Sequence, residues 1–200
     1  MQFILLLNFI VFLLHEFEEY RLPGGEPWVL NEVFQPSGGP PDRYKANQNN
    51  VLFINMMCWV MYLVPIFVPA VIWVGLAPVL FGLVGQVIVH VVITNRKLKT
   101  FYNPGQAAVL LGHVPLGIWY LVEVHQQALI SGWDWVLALA YVLLFGVVIM
   151  QGIGFRLLAA TDSPYPFTAA EMGRWNRVER LQRAGITPLP LSSDVTTAPV

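Results

Sequence analysis

The sequence predicts an all-α fold, a polytopic membrane helical bundle with five transmembrane helices, and three observations support this prediction. First, 56% of the 200 residues are hydrophobic and 12% are charged, whereas about 25% of an ordinary soluble domain is charged. Second, the charged residues are separated by long uncharged intervals. Third, the basic residues recur in alternate loops between those intervals. At about 20 residues per helical span, the chain has room for five spans but not for a separate soluble catalytic domain.

The uncharged intervals locate the spans, because an ionised side chain at the centre of a bilayer is costly unless it is paired or hydrated. These intervals are residues 1–15, Ala46–Asn95, Thr100–Val122 and Trp135–Phe155. The second interval is too long for one helix, so we divide it near Gly75–Pro78, where glycine and proline favour a tight turn. The five predicted spans form a membrane domain over residues 1–160 and lie at about 2–20, 51–74, 77–95, 105–124 and 134–156.

The distribution of basic residues predicts the orientation of this bundle. All eleven Lys and Arg residues fall in the loops after the first and third spans or in the segment after the fifth. Cytoplasmic loops retain basic residues and translocated loops lose them, which predicts an outside amino terminus and a cytoplasmic carboxyl terminus. We therefore expect an integral, multi-pass protein of the inner or plasma membrane, surrounded by membrane lipids.

The segment after the fifth span is predicted to form a cytoplasmic amphipathic helix over residues 165–186. Thr168 and Glu171 stand at the spacing of a capping box, and apolar residues recur at helical spacing from Trp175 onward, with arginines between them. Such a helix suits a surface of anionic lipid headgroups. The stretch 187–200 is rich in Pro, Ser and Thr and is predicted to be a disordered tail.

Composition also excludes several classes of protein. The formal net charge is -1 and the isoelectric point is about 6.4, so the chain lacks the concentrated basic face that a nucleic-acid partner requires. A single cysteine, Cys58, excludes an internal disulfide and a cysteine-rich metal cage. Nothing in the single chain indicates an oligomeric state.

Polar side chains inside the predicted spans are the candidate functional residues, because burying them in a membrane is costly. His15, Glu18 and Glu19 stand at positions i, i+3 and i+4 of the first span and so share one helical face. His90 on the third span and His113 on the fourth are expected at a similar depth on the same side. Together these five residues are the set of ligands expected for Zn, Fe or Mn with one position left open.

Further residues complete the predicted site. Glu18, Glu19 and His90 are also candidate catalytic residues, as is Tyr102, which precedes a Pro-Gly turn at the start of the fourth span. Five side chains are predicted to line a substrate pocket: Asn8, Asn55, Trp59, Gln86 and Asn95.

The His15-x-x-Glu18-Glu19 motif, the later His90 and the Tyr102-x-Pro104-Gly105 turn resemble the HXXEE family of small integral membrane proteins. The resemblance covers residues 15 to about 120 and makes these seven residues the matching positions. The family is uncharacterised, and its buried His and Glu residues imply an enzyme without naming a reaction.

The sequence favours an enzyme that acts on a lipid or isoprenoid-like hydrophobic substrate at a metal-dependent His/Glu site on the cytoplasmic side. One alternative is a metal-free isomerase or cyclase in which a buried glutamic acid donates a proton. Trp59 would then stabilise a developing carbocation through its ring face. A second alternative is a protein that binds or transports a small molecule or ion, and a third is that the polar groups only hold the helices together. Whether the long Pro- and Gly-rich segment Pro23–Asn50 acts as a lid is open.

Overall fold

The computed structural model describes residues 1–192, and this part of the chain is helical and contains no β-strand. The all-α prediction is therefore confirmed for the described residues. A π-helical turn, Val29–Phe34, directly follows the second helix. The helices are α1 (Gln2–Tyr20), α2 (Glu26–Trp28), α3 (Gln48–Phe67), α4 (Ile72–Leu98), α5 (Gln106–Gln126), α6 (Gly132–Leu157), α7 (Ala169–Met172) and α8 (Arg177–Ala184).

Four helices, α3 to α6, are long and apolar enough to cross a membrane. The prediction of five spans is corrected at α1, which is 19 residues long. This helix exposes Leu14 and Phe17 on its outer face, but Glu16, Glu18 and Glu19 crowd its carboxyl-terminal turns. Those three carboxylates are too many for a spanning helix of that length, and each has its own polar partner inside the protein.

The turn between α3 and α4 lies at Val68–Val71 rather than at the predicted Gly75–Pro78. Pro69 follows the end of α3, where its ring disfavours helical backbone at the preceding residue. Pro78 lies instead inside α4. The two helices share one uninterrupted apolar stretch, so no charge marks the turn in the sequence.

The loops 21–47, 99–105 and 158–192 meet at one end of the bundle, which we call the basic end because every Lys and Arg lies in these loops or in an adjoining helical turn. Several contacts join these loops to one another and to the last turn of α4. Lys97 Nζ donates to the Val33 carbonyl at 2.9 Å, and Arg180 Nη1 donates to Thr100 Oγ1 at 3.1 Å. Thus the three loops form one layer over the ends of α1, α3, α4 and α5.

The carboxyl-terminal segment differs from the single predicted helix over 165–186, because α7 and α8 are separate short helices. The Thr168 capping box is confirmed, with its hydroxyl accepting from the Glu171 N–H. Part of the predicted disordered tail, residues 187–192, packs against the first loop. There the Leu189 N–H donates to Glu32 and the Ser192 N–H donates to Asp42. The rest of that tail, residues 193–200, lies outside the described residues.

Candidate functional site

The candidate site is built around the Glu19 carboxylate, near the end of α1. Glu19 Oε1 lies 3.1 Å from His15 Nε2 and 3.4 Å from His90 Nε2. His15 is one turn earlier on the same helix, whereas His90 comes from α4. His15 is 2% exposed, Glu19 is 9% exposed and His90 is 1% exposed, so the cluster is shielded from bulk solvent. Their ligand atoms lie within 4.8 Å of one another, and the group could hold a metal ion.

Each histidine uses its other ring nitrogen in a hydrogen bond that fixes which nitrogen faces Glu19. His15 Nδ1 is 3.0 Å from the Gly105 carbonyl, which can only accept. His90 Nδ1 is 2.8 Å from Asn103 Oδ1. In both neutral rings the proton is therefore placed on Nδ1, and the Nε2 lone pairs converge on the position occupied by Glu19 Oε1.

The Asn103 side chain is oriented by a network of acceptors. Its Nδ2 donates to the His90 carbonyl and to Asn95 Oδ1, both at 2.8 Å, and to Gln106 Oε1 at 3.0 Å. Because these three partners accept, the Asn103 oxygen must point toward His90 Nδ1. Asn103 is fully buried and holds the His90 ring in place. It was not among the predicted site residues, although it lies within the Tyr102–Gly105 turn.

Gly105 accounts for the close packing of this turn against both rings. Its φ is +89°, a left-handed conformation that favours glycine. A Cβ atom at this position would lie 2.6 Å from His15 Cε1 and 2.8 Å from His90 Cε1. The turn therefore needs glycine both for its backbone conformation and for the space that the two imidazoles occupy.

Glu18 lies outside the His15–Glu19–His90 group, and its role as a metal ligand stays a prediction. Its carboxylate accepts from the Tyr102 hydroxyl at 2.6 Å and from the N–H groups of Ala107 and Ala108 at 3.1 and 2.9 Å. It therefore caps the amino terminus of α5. Burial and the adjacent Glu18 carboxylate raise the pKa of Tyr102. Tyr102 thus contacts Glu18 rather than the His15–Glu19–His90 group, and its catalytic role stays a prediction.

His113 also lies outside the group, although its ring centroid is only 6.0 Å from that of His15. Its Nδ1 is 3.2 Å from Asn8 Oδ1, and Asn8 in turn donates to the Ile4 carbonyl. The rotation of α5 directs the His113 ring at Asn8 on α1, away from Glu19, and its role as a ligand stays a prediction. His113 Nε2 and the Tyr62 hydroxyl are buried there without a hydrogen-bond partner.

A cavity of about 430 Å³ adjoins the cluster. His15, Glu19 and His90 line it together with mostly apolar side chains from α3, α4 and α6. Two of these, Leu143 and Val147 on α6, are 58% and 66% exposed. Because these two residues line the cavity and are also exposed on the outer surface of α6, the cavity opens on the apolar outer surface of the bundle.

The predicted pocket residues divide into two groups. Asn55 and Gln86 line the cavity. Asn8, Asn95 and Trp59 do not: Asn8 pairs with His113, Asn95 belongs to the Asn103 network, and Trp59 Nε1 donates to both carboxylate oxygens of Glu16 at 2.9 Å. The predicted carbocation role of Trp59 therefore has no support in this geometry.

Glu26 is a lining residue that the sequence did not single out. Its side chain is 3% exposed, and its Oε2 atom is buried without a hydrogen-bond partner. Burial raises the pKa of this carboxyl well above its ordinary value; the nearby Glu19 charge raises it further, and His90 opposes both effects. No motif or periodicity marks Glu26, since it follows two glycines in a loop.

Comparison with known proteins gives one match. A family profile described as a protein of unknown function with an HXXEE motif matches residues 6–120, which is more than half of the chain. No curated protein and no solved structure matches the chain.

Proposed function

The chain belongs to the HXXEE family, and from this premise we propose that it is an integral membrane enzyme that acts on a lipid or isoprenoid-like substrate at a divalent metal site. His15, Glu19 and His90 would be the protein ligands of that metal. The observation that supports this most directly is the convergence of two Nε2 lone pairs and one carboxylate oxygen, with both Nδ1 atoms already bonded elsewhere.

The distances suit a metal ion. In a tetrahedral site with metal–ligand distances of about 2.1 Å, ligand atoms lie about 3.4 Å apart. Glu19 Oε1 lies 3.1 and 3.4 Å from the two Nε2 atoms. Ring nitrogens held by a backbone carbonyl and an amide oxygen are also typical of histidines that bind metals. Zn, Fe and Mn all accept such ligands.

Three protein ligands leave a coordination position for water or substrate, and a bound divalent ion supplies Lewis acidity there. The residues of the chain would do the rest. Gly105 and Asn103 would keep the two rings in register, and Glu19 would balance part of the added charge. The low exposure of all three ligands would exclude bulk water from the reacting atoms.

The nature of the substrate is inferred from the cavity. Its walls are mostly apolar, and it is reached from the surface that would face lipid. A molecule dissolved in the bilayer could enter beside Leu143 and Val147 without crossing water. The site lies at the basic end of the bundle, which the positive-inside rule assigns to the cytoplasmic leaflet.

A metal-free acid–base enzyme is the second candidate, and one observation favours it. With Nδ1 donating in each ring, a proton on either Nε2 would also satisfy Glu19 Oε1. The cluster could then move a proton to and from a substrate, as isomerisation and cyclisation require.

Elemental analysis separates the two candidates. We expect protein purified in detergent without chelators to contain about one equivalent of Zn, Fe or Mn. Glu19→Gln and His90→Ala should lose most of it, whereas His125→Ala, which changes an exposed histidine, should retain it. Circular dichroism and gel filtration would verify that the variants are folded.

If wild-type protein supplemented with metal contains far less than one equivalent, the metal site is refuted and acid–base chemistry is favoured. Equal metal content in His90→Ala and His125→Ala would show that any bound metal lies elsewhere.

A further inference from the structure

Glu26 presents an unused hydrogen-bonding group to the cavity. Its side chain is buried, it lines the cavity beside Glu19 and His90, and Oε2 has no partner. A buried polar atom without a partner is costly, and such atoms in native proteins commonly mark a place for a ligand or water. Glu26 is not one of the three residues whose ligand atoms cluster together.

The backbone around Glu26 is fixed from the far end of the chain. The Gly25 N–H donates to the Glu171 carbonyl at 2.9 Å, and the Arg174 N–H donates to the Pro23 carbonyl at 3.0 Å. The two backbone segments, 23–25 and 171–174, are in contact at Gly173, where a Cβ atom would lie 2.4 Å from the Gly24 carbonyl carbon. Glu26 is therefore placed in the cavity wall by contacts that are independent of the histidines.

The cavity has room for one hydrocarbon chain. Its volume of about 430 Å³ is near the lower part of the range for small-molecule sites, about 300–1,000 Å³. A phospholipid with two acyl chains and a headgroup is too large. The occupant is therefore a single-chain molecule with few polar groups.

The charges around the cavity restrict the polar end of that molecule. An anionic headgroup would suit Glu26 only when its carboxyl group is protonated, because a carboxylate would repel it in an environment of low dielectric constant. A hydroxyl group suits Glu26 in either protonation state, because it donates to a carboxylate and accepts from a carboxylic acid.

We propose that Glu26 is a substrate-binding residue whose free oxygen binds the hydroxyl group of a single-chain hydrophobic alcohol and so positions it beside Glu19. This inference rests on the proposed function of the cavity and adds the class of its substrate.

Photolabelling tests the assignment. The probe is dodecanol with a diazirine in the middle of its chain, and the control probe is the same chain without the hydroxyl. Each is added to the full chain in detergent, and labelled peptides are mapped by mass spectrometry. We expect the alcohol to label α4 and α6 in wild-type protein several-fold more than the hydrocarbon does.

Glu26→Ala should reduce labelling by the alcohol about tenfold, the cost of one hydrogen bond to a buried group. Glu26→Gln should keep most of it, because an amide also pairs with a hydroxyl. Glu16→Gln is the matched control, since Glu16 pairs with Trp59 outside the cavity, and it should label as wild type does. The metal content of Glu26→Ala should stay at the wild-type level.

A further variant tests the cavity itself. Gly146 lines it, and a Cβ atom there would have no neighbour within 4 Å, so Gly146→Leu is chosen to fill the space, with circular dichroism to verify its fold. This variant should lose labelling by both probes. If Glu26→Ala labels like wild type, the role of Glu26 is refuted while the cavity stands. If neither probe labels α4 or α6 in wild-type protein, both the substrate assignment and the proposed role of the cavity fail.

Discussion

Replacing Glu18 distinguishes its structural role from the catalytic or metal-binding role that the HXXEE motif suggests. The carboxylate accepts one hydrogen bond from the Tyr102 hydroxyl and two from the backbone at the start of α5. Glu18 is 8% exposed, so water replaces these partners poorly when the carboxylate is removed. We predict that Glu18→Ala destabilises the protein strongly, whereas Glu18→Gln destabilises it moderately and keeps the metal.

The expected magnitude follows from the three bonds. Loss of a helix N-cap costs about 0.5–2 kcal/mol, and a hydrogen bond to a charged group contributes about 1.5–3 kcal/mol. The free energy of unfolding of Glu18→Ala should therefore fall by about 3–4 kcal/mol. In Glu18→Gln the amide oxygen still accepts from some of the three donors, so the free energy of unfolding should fall by about 1–2 kcal/mol. Tyr102→Phe removes only the hydroxyl bond to the carboxylate and should cost about 1.5–3 kcal/mol.

Reversible unfolding in mixed micelles of mild detergent and dodecyl sulfate measures these differences, with circular dichroism as the signal. Metal analysis of the folded fraction is made on the same samples. Wild-type stability in Glu18→Ala would refute the capping role. Loss of metal from folded Glu18→Gln, to the same extent as from Glu19→Gln, would show that Glu18 is a ligand after all.

Two further predictions concern the loop layer at the basic end. Arg177→Ala leaves the nearly buried Glu32 carboxylate without its ion pair and should lower the free energy of unfolding by about 3–5 kcal/mol. Arg183→Ala breaks an exposed ion pair and should lower it by less than about 1 kcal/mol in the same unfolding assay. Equal losses in the two variants would contradict the stabilising role of the buried pair. Burial raises the pKa of Glu171, but hydrogen bonds from Thr168 and neighbouring residues outweigh it and lower this pKa below its ordinary value. The stabilisation is therefore present above the ordinary value of 4.5 and is lost as the pH falls through the lowered folded-state pKa. The stability difference between wild type and Glu171→Gln should shrink in acid, and a pH-independent difference would refute this linkage.

The sequence predicted the helices well where charge marks their ends. The helices α4 and α6 end within two residues of the first ionised residue after an apolar stretch, whereas α1 continues to Tyr20, four residues beyond Glu16. The α7 capping box was recognisable from Thr168 and Glu171. The turn between α3 and α4 was misplaced because it contains no charged residue. Proline alone could not locate it, since one proline follows α3 and another, Pro78, is tolerated inside α4.

The placement of His15, Glu19 and His90 was predictable from helical spacing and depth, but the exclusion of Glu18 was not. On a helix with about 100° per residue, Glu19 lies about 40° to one side of His15 and Glu18 about 60° to the other. Both can be assigned to one broad face, and only the rotation of α1 against its neighbours decides which carboxylate meets His90. That rotation depends on packing, as does the rotation of α5 that directs His113 at Asn8.

Glu26 illustrates the limit of reading a membrane site from its helices alone. A glutamate in a Gly- and Pro-rich loop is ordinarily solvated, because charged side chains are rarely buried without a partner. Here contacts with residues 171–174 hold the loop against the end of the bundle. One polar group of the cavity, the Glu26 carboxyl, therefore depends on a segment that hydropathy assigns to the surface. If the cavity binds a substrate, Glu26 in this loop would bind its hydroxyl group, whereas the helices supply the three residues that could hold a metal ion and most of the apolar walls.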